Sequence, residues 1–247
     1  LMSVVDIRLS YTAFDVDHGQ IYDRSQKLEW SARDNSALHQ LLSVVSLCSE
    51  TTIDHSDSMP ELSGSPTENS MVELALAQAV DVDDLRKAQP CLKTYYRSET
   101  QPFMRTVHQA GEDGFFVAMK GSPAEVAAMC SSYIDAGGKV HKLSDDARRL
   151  LQIQNESMAG GSLRVIAAAY KNTKSVHASE SGYTWLGLLG MIDPLREGMR
   201  ELIQAYHQAG VRTVMITGDQ SSTAYAIGKQ LGLSGAQPLK IVDSTRL

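Results

Sequence analysis

The pattern of apolar and polar positions predicts two different arrangements of strands and helices along the chain. Residues 2–9 alternate apolar with polar side chains, as a half-buried strand does, whereas residues 36–48 carry apolar side chains at helical spacing. The same reasoning predicts further strands at 92–96, 103–107, 115–119, 165–170 and 185–191, a hairpin over 11–21, and further helices at 66–80, 123–130 and 144–158. This first part of the chain has the pattern of a mainly antiparallel sheet flanked by helices.

After Asp193 the predicted elements alternate regularly. They are a helix at 196–208, a strand at 211–216, a helix at 221–231 and a short strand at 239–242. Such alternation is typical of βαβ units with a parallel sheet. We therefore predict an α/β chain with two domains, residues 1–192 and a partial Rossmann-like segment at 193–247.

Turn and cap residues bound several of these elements. Residues 50–65 are polar and contain proline and glycine, so a loop is predicted there. Pro66 suits the first turn of the helix that follows, and Ser144 is a predicted N-cap. Asp15 and Asp17 are assigned to the turn of the first hairpin.

The composition is that of an ordinary globular protein, with 43% hydrophobic and 21% charged residues. The net charge of -6 does not favour a nucleic-acid partner, although a local cationic pocket can still hold ATP. The three cysteines include no C-x-x-C pair, so we expect a reducing, cytosolic setting without a disulfide or metal framework. No apolar run approaches the ~20 residues that span a bilayer, and the charged, alternating first residues are not those of a signal peptide.

Two predicted strands end in residues suited to binding phosphate. One runs into Thr217-Gly218-Asp219 and then a helix, so a hydroxyl, a tight turn and a helix N-terminus meet where anions are stabilised. The other ends in Lys120 and Gly121. The ammonium can lie against a nucleotide's phosphates, and the glycine lets the base or ribose approach the backbone.

The sequence has no phosphate loop of the form G-x-x-x-x-G-K-[ST], no G-x-G-x-x-G fingerprint and no H-E-x-x-H spacing.

Four other strings occur in a fixed order along the chain. They are Gly64-Ser65-Pro66-Thr67-Glu68, Lys120-Gly121-Ser122-Pro123, Asp193-Pro194-Leu195-Arg196, and Thr217-Gly218-Asp219 with Thr223-Ala224-Tyr225-Ala226-Ile227. In these strings and their order the chain resembles P-type ATPases, the ion pumps that are phosphorylated on an aspartate. The resemblance spans nearly the whole chain.

The resemblance implies nucleotide-binding roles for three residues of the first domain. Lys120 matches the pumps' nucleotide-domain lysine, and Glu68 matches a glutamate of their adenine pocket. Glu68 is also a first-turn acid stabilised by the helix dipole, and both interpretations can hold together. Arg164 matches a Leu-Arg-Val-x-Ala string and would hold phosphate bidentately, or else it is a surface residue of a strand.

The aromatic platform for adenine departs from the family pattern. Family members place a Phe several residues before a Lys-x-Met-Ser-Val string, whereas here Pro102 and Phe103 stand where the basic residue precedes the Met. Tyr96 can stack on adenine, or it belongs to the core of the sheet. The departure bears on ATP affinity more than on the fold.

In the second domain the resemblance assigns supporting roles in phosphoryl transfer. Asp193 and Arg196 match the Asp-Pro-x-Arg string that marks the return to the phosphorylation domain, and they would help close the two domains on ATP. Thr217 matches the second motif of the haloacid-dehalogenase superfamily, whose hydroxyl donates to the transferring phosphoryl group. Gly218 shapes the turn, and Asp219 would lie near the magnesium-nucleotide site or cap the next helix.

Two family strings are absent from the sequence: Asp-Lys-Thr-Gly-Thr, which carries the phosphorylated aspartate, and Gly-Asp-Gly-x-Asn-Asp, which binds magnesium. We therefore expect the ATP-binding cytoplasmic portion of a P-type cation-transporting ATPase, inactive alone, with most Mg²⁺ ligands elsewhere in the intact enzyme. Its expected partners are ATP or ADP and the remaining phosphorylation, actuator and transmembrane domains, at the cytoplasmic face of a membrane.

Two alternatives stay open at this point. The first is a non-catalytic interaction domain that keeps the pump fold without binding ATP, motivated by the irregular adenine segment. The second is a free-standing phosphatase of the haloacid-dehalogenase type, which would need its own nucleophile. The transported ion is not indicated, because ion ligands lie in membrane helices.

Two further expectations concern stability. As a strand-end residue, Lys120 is expected to contribute little to packing, so Lys120→Ala should leave the melting temperature nearly unchanged. Residues 193–247 are expected to be the least secure part of the fold, because a strand at 211–216 would present an unpaired edge that invites self-association.

Overall fold

A computed structural model describes residues 2–56, 60–111, 114–177, 181–193, 198–217, 221–235 and 238–242 of the 247-residue chain. Its strands are β1 (Ser3–Leu9), β2 (Thr12–Asp17), β3 (Gln20–Asp23), β4 (Glu29–Trp30), β5 (Thr52–Asp54), β6 (Glu61–Ser63), β7 (Cys91–Tyr95), β8 (Phe103–Ala110), β9 (Gly114–Gly121), β10 (Cys130–Ile134), β11 (Val140–Lys142), β12 (Arg164–Thr173) and β13 (Tyr183–Ile192). Its helices are α1 (Ser36–Leu47), α2 (Pro66–Ala77), α3 (Val82–Ala88), α4 (Pro123–Met129), α5 (Asp145–Gly160), α6 (Met199–Gln208) and α7 (Ser221–Leu231).

One large sheet organises the chain. Its strands lie in the order β4-β3-β2-β1-β13-β12-β9-β8-β7, and β10 joins it beside β13 and pairs with β11. All of these pairings are antiparallel except that of β10 with β13. The prediction of a mainly antiparallel sheet flanked by helices is thus confirmed.

Helices cover both faces of the sheet, and each face has its own hydrophobic core. α1 packs against β9, β12 and β13 on one face, which we call the α1 face, whereas α4 and α5 pack on the other, the α5 face. Because successive side chains of a strand point to opposite faces, β9 contributes to both cores. Phe116 and Ala118 belong to the core under α1, and Val117 and Met119 belong to the core under α5.

The helix starts follow their capping residues. Ser65 accepts a hydrogen bond from the Glu68 backbone N–H, at 3.3 Å, and Pro66 occupies the first turn of α2. Ser144 accepts from the Ala147 backbone N–H, also at 3.3 Å, so its predicted role as the N-cap of α5 is confirmed. None of the helices among the described residues is both long and apolar enough to cross a membrane.

An ion-pair network ties together the first three strands. Arg8 binds the buried carboxylate of Asp6 bidentately at 2.8 and 2.9 Å, and Arg24 bridges Asp6 and Asp15. Although burial alone would raise it, the hydrogen bond and charge of Arg24 hold the pKa of Asp15 below its usual value. The assignment of Asp15 and Asp17 to a turn is wrong, since both lie in β2 and the turn falls at the following two residues.

Several short elements escaped the sequence analysis. The predicted loop at 50–65 contains the hairpin of β5 and β6, and the strands β4, β10 and β11 were not predicted. The predicted helix 66–80 ends at Ala77, because Ala79 adopts a φ of +59°, and the separate helix α3 follows. These elements span only two to seven residues, too few to establish a periodic pattern.

The predicted parallel βαβ segment is not formed among the described residues after Asp193. Helices α6 and α7 form close to their predicted positions, but residues 211–217 and 238–242 have no regular secondary structure. Val214 and Ile216 are 83% and 95% exposed, so the apolar run predicted as a buried strand lies in solvent. A strand needs a neighbour for its backbone hydrogen bonds, and no described strand pairs with this segment.

The close approach of β8 to β9 generates a prediction about Gly121. The two strands pair Gly121 with Phe103, and a Cβ added at Gly121 would lie 2.5 Å from the Phe103 Cα and 2.6 Å from the Pro102 carbonyl oxygen. Backbone atoms cannot move aside as a flexible side chain can. We expect Gly121→Ala to lower the free energy of unfolding by about 1–3 kcal/mol, measured by urea denaturation.

Gly160, in the last turn of α5, provides the matched control. No atom lies within 4 Å of a Cβ built there. Gly160→Ala is expected to be neutral or to stabilise by up to ~1 kcal/mol, because alanine restricts the unfolded chain. Equal effects of the two substitutions would show that the β8–β9 approach is not what requires glycine at 121.

The buried His108 of β8 makes the fold sensitive to acid. Its Nδ1 lies 2.9 Å from the Gln89 carbonyl oxygen and its Nε2 lies 2.8 Å from the Thr106 hydroxyl. A carbonyl only accepts, so Nδ1 carries the proton of the neutral ring and Nε2 accepts from Thr106. Burial lowers the pKa of His108, and the charge of Arg86 lowers it further against the opposing effect of the Gln89 hydrogen bond.

Because the folded-state pKa of His108 lies below its unfolded value of about 6.5, the unfolded chain binds more protons in that interval. The contribution of His108 to stability is therefore complete above pH ~6.5 and is lost as the pH falls toward the folded-state pKa. We expect His108→Asn, which keeps a donor for Gln89, to show a shallower loss of unfolding free energy between pH 7 and 5 in urea titrations. Parallel pH profiles for the variant and the wild type would contradict this assignment.

Candidate functional site

Lys120 and Glu68 meet in a buried ion pair on the α1 face of the sheet. Lys120 is the penultimate residue of β9, an interior strand, and Glu68 lies in the first turn of α2. The Lys120 Nζ donates a hydrogen bond to the Glu68 Oε1, and the side chains are only 8% and 12% exposed. Two residues that are 52 positions apart in the chain thus form one unit of opposite charges.

The burial of Lys120 corrects an expectation drawn from the sequence. Lys120 was predicted to be a strand-end residue that contributes little to packing, but it is 93% buried, with a relative exposure of 7%. Removing one partner of a buried ion pair leaves an uncompensated charge, which typically costs about 3–5 kcal/mol. The premise that Lys120 contributes little to packing is therefore wrong, and we expect Lys120→Ala to be destabilising.

Cys48 lies beside this pair, at the C-terminal end of α1. Its thiol is fully buried and donates to the Met104 carbonyl oxygen at 3.4 Å. Burial raises the pKa of Cys48 to about 11, while the Lys120 charge lowers it and the Glu68 charge raises it. The sequence analysis noted Cys48 only as one of three scattered cysteines. Cys48 follows the apolar positions of α1, and that pattern could have indicated that its side chain is buried.

Gly121 follows Lys120 and is itself buried. The need for glycine there is explained by the neighbouring strand, since a side chain would meet Phe103 and Pro102. The backbone of Gly121 is thus closed off on that side by β8. The sequence suggested that this glycine leaves room for a base or ribose. The close approach of β8 is a second reason for glycine at this position.

Arg164 brings a second cation to the start of α2. It is the first residue of β12, and its Nη1 donates to the Thr67 hydroxyl at 3.1 Å. Thr67 directly precedes Glu68, so the guanidinium reaches the same helical turn as the Lys120–Glu68 pair. Unlike Lys120, Arg164 is exposed. The structure thus brings Glu68, Lys120 and Arg164 together at the start of α2.

A cavity of about 290 Å³ opens on the α1 face between the sheet edge and the C-terminal ends of α1 and α3. Met104, which faces Lys120 across the β8–β9 ladder, lies in its wall. The other lining residues are mostly polar. They are Leu47, Ser49, Glu50, Thr51, Thr52, Arg86, Gln89, Cys91, Thr94, Thr106 and His108.

Tyr96 follows the last residue of edge strand β7 and is 62% exposed. The alternative that it belongs to the core of the sheet is therefore wrong. The last paired rung of β7 and β8 joins Tyr95 to Arg105, and Tyr96 comes directly after it. Tyr96 therefore lies at the open end of the β7–β8 ladder, where its ring is accessible.

The remaining predicted site residues lie after the large sheet. Asp193 is exposed and comes directly after β13, and Thr217 is exposed at the end of the irregular segment 211–217. Arg196, Gly218 and Asp219 lie outside the described residues. Among the described part of the chain, no group of three or more His, Cys, Asp or Glu side chains is arranged to hold a metal ion.

Comparison with known proteins places this site in a family. The family described as "P-type ATPase, cytoplasmic domain N" matches residues 37–198, a range that includes Glu68, Lys120, Arg164 and Asp193. Thr217 lies beyond the matched range.

Individual relatives agree with this match. The chain is 31% identical over 179 residues to "Putative calcium-transporting ATPase 7, plasma membrane-type" of Arabidopsis thaliana, covering 70% of this chain and 18% of the relative. It is 32% identical over 200 residues to "Calcium-transporting ATPase 1" of Lactococcus lactis, covering 78% and 22%. It is 30% identical over 210 residues to "Calcium-transporting ATPase" of Bacillus subtilis, covering 83% and 24%.

The chain thus spans about a quarter or less of the length of these relatives. The family match nevertheless covers well over half of the chain and includes the whole Lys120–Glu68 site. The antiparallel sheet with flanking helices is the architecture that the resemblance implied for the first domain. This chain belongs to the P-type ATPase family and contains its cytoplasmic domain N.

Proposed function

We propose that this chain binds ATP and presents it to a phosphorylatable aspartate outside the chain, within a P-type ATPase that transports a cation. The observation that carries the proposal is the buried Lys120–Glu68 pair, with Arg164 at the same helical turn and a cavity alongside. Because the relatives are named calcium-transporting ATPases, we propose Ca²⁺ as the transported ion.

The contact between Lys120 and Glu68 supports one orientation of the bound nucleotide. The sequence interpretation put Lys120 at the phosphates and Glu68 at the adenine, yet the two groups are hydrogen-bonded and must act at one end of the ligand. A carboxylate accepts from the exocyclic amine of adenine, whereas it repels phosphate. We therefore place both residues at the base, and the exposed Arg164 at the phosphates.

The base would lie against Lys120, Met104 and Tyr96. Met104 offers an apolar, polarizable surface at the wall of the cavity, and the exposed ring of Tyr96 can stack on the outer face of the base. Phe103 precedes Met104 on β8, so its side chain points to the α5 face and cannot replace the family's basic residue. This leaves Arg164 as the main cation for the phosphates.

The intact enzyme is expected to use Mg²⁺, to which we assign no ligand in this chain. Asp193, Arg196, Thr217, Gly218 and Asp219 retain their proposed supporting roles at the transferring phosphoryl group and at closure of the domains. Since the Asp-Lys-Thr-Gly-Thr string is absent from the sequence, we propose that the chain alone binds nucleotide without hydrolysing it. Transfer of the γ-phosphate of ATP to this chain would contradict that part of the proposal.

The proposed partners are ATP or ADP and the remaining phosphorylation, actuator and transmembrane domains of the same pump. The exposed apolar residues Val214 and Ile216 support the proposal that residues 193–247 contact another surface, either those domains or a second copy of the chain. Sedimentation of dilute and concentrated protein distinguishes self-association from a monomer.

A second candidate is an interaction domain with the pump fold that does not bind ATP. One observation favours it: Glu68 already neutralises Lys120, whose ammonium is almost sealed from solvent. Loss of the basic residue before Met104 points the same way. The two candidates differ in one measurable property, which is nucleotide affinity.

We expect ATP to bind with a Kd in the high micromolar to millimolar range, roughly −4 to −6 kcal/mol, in isothermal titration calorimetry.

Arg164→Ala should weaken binding about tenfold, because it removes a charge-assisted contact to phosphate. The melting temperature should change little, since Arg164 is exposed. The control is Arg33→Ala, which removes an equally exposed charge from the turn before α1. A flat titration of the wild type would favour the interaction domain.

The ion pair itself is tested by a double-mutant cycle in urea denaturation. Lys120→Met and Glu68→Leu should each lower the unfolding free energy by about 3–5 kcal/mol, because each leaves one buried charge without its partner. The double variant leaves neither charge, so we expect it to cost no more than either single variant, because replacing a buried ion pair by apolar residues of similar volume is often nearly neutral. Strict additivity would show that the two charges do not depend on each other. ATP affinity is then best compared in the double variant, in which loss of binding is not confused with unfolding.

A further inference from the structure

A second cluster of cations lies on the α5 face, on the opposite side of the sheet from Lys120 and Glu68. Its centre is Arg105 of β8, which is only 4% exposed. The Arg105 Cζ lies 4.8 Å from the centre of the Tyr95 ring and 5.4 Å from that of Phe103. The guanidinium therefore lies against two aromatic rings where β7 pairs with the start of β8.

The Arg105 guanidinium lacks the partners that a buried charge requires. Its Nε and Nη1 are fully buried without a hydrogen-bond acceptor, and Arg105 forms no ion pair with any residue that the structure describes. The hydroxyl of Tyr183, on β13, is likewise buried without a hydrogen-bond partner. The aromatic rings attract the positive charge of Arg105. They do not supply the in-plane acceptors that its N–H groups require. Two unsatisfied donor groups therefore lie in one buried layer.

Other charges around this layer are also positive. The Lys171 Nζ lies 5.2 Å from the centre of the Tyr183 ring and donates to the Ser181 carbonyl oxygen. Burial lowers the pKa of Lys171, and the positive charge of Arg105 lowers it further. The Lys93 Nζ lies 4.6 Å from the centre of the Tyr95 ring. Three cations thus lie around this layer, and the charge of Arg105 acts on that of Lys171.

Among the described residues, no acidic side chain forms an ion pair with Arg105. Glu125, on α4, has a buried Oε2 without a hydrogen bond, but it forms no ion pair with Arg105 among the described side chains. Burial raises the pKa of Tyr183 against the opposing effect of Arg105, whose guanidinium lies near the phenol oxygen, so the hydroxyl keeps its proton and remains a donor at neutral pH. In the described part of the chain, the Arg105 guanidinium therefore has buried donors and positive charge but no carboxylate that accepts from it.

We propose that this layer, made of Tyr95, Phe103, Arg105, Lys171 and Tyr183, binds a small phosphate-type oxyanion, with Arg105 and Tyr183 as its direct donors. Arginine suits an oxyanion because its planar donors match two oxygens at once. The path of an anion from solvent to Arg105 is short, because β7 is the edge strand and Tyr95 and Phe103 are only half buried. The site is separate from the proposed nucleotide site and does not depend on it.

Inorganic phosphate is the probe that tests this site. In an isotope-labelled sample, we expect the Arg105 Nε–Hε resonance to shift in a saturable manner up to about 50 mM phosphate, with sodium chloride adjusted to keep the ionic strength constant. Arg105→Met should reduce phosphate affinity at least about tenfold. Because removing an unpaired buried charge often does not destabilise a fold, this variant is expected to remain folded. Tyr183→Phe removes one donor atom alone and should weaken phosphate binding by a smaller factor.

Arg97→Met is the matched control, since Arg97 lies on the same hairpin but is exposed. It should leave the phosphate response unchanged. The Lys120→Met/Glu68→Leu variant separates this site from the opposite face, where the phosphates of a nucleotide would bind, and it should also keep the response.

Three results would overturn the proposal. The first is the absence of an Arg105 shift in the wild type, which would mean that water alone satisfies the layer. The second is an equal phosphate response in Arg105→Met. The third is a response that is lost only in the Lys120→Met/Glu68→Leu variant, which would place the phosphate on the nucleotide face.

Discussion

The fold depends on how the chain neutralises one ammonium group inside an interior strand. Lys120 is the penultimate residue of β9 and is almost fully buried, so the carboxylate that pairs with it comes from a different element. Glu68 supplies it from the first turn of α2, a position that the helix dipole already favours for an acid. The pair thereby ties the first turn of α2 to β9. Arg164 reaches the same turn through its hydrogen bond to Thr67. A charge that would be costly alone thus organises the candidate site.

The sheet separates two polar layers that differ in charge balance. On the α1 face, Lys120 is matched by Glu68, and the neighbouring thiol of Cys48 is kept protonated by burial. On the α5 face, Arg105 is buried against two rings without a carboxylate among its described neighbours. Alternation along β8 and β9 is what sends these groups to opposite sides. One hairpin, β7 to β8, contributes to both sides, with Met104 on the first and Tyr95 on the second.

The sequence predicted long elements well and short or unpaired ones poorly. The strands that became β8, β9, β12 and β13 and the helices α1 and α5 have enough residues to show their period, and all formed. Residues 211–216 have an equally clear apolar run, but no described strand pairs with them, and the run is exposed. A hydrophobic pattern indicates which face of a segment would be buried if the segment formed a strand or helix. Whether it becomes a strand depends on a neighbour that the segment itself does not contain.

By itself, the sequence determined the family, the antiparallel character of the first domain and the identity of most candidate site residues, because motifs and periodicity are properties of neighbouring positions. Only the tertiary structure decided how those residues combine. It showed that Lys120 is buried and paired with Glu68 across 52 positions, that Gly121 is required by Phe103, and that Arg105 lies unpaired against two rings. Each of these depends on which strands lie side by side. That choice is made by the packing of the whole sheet, and no local stretch of sequence records it.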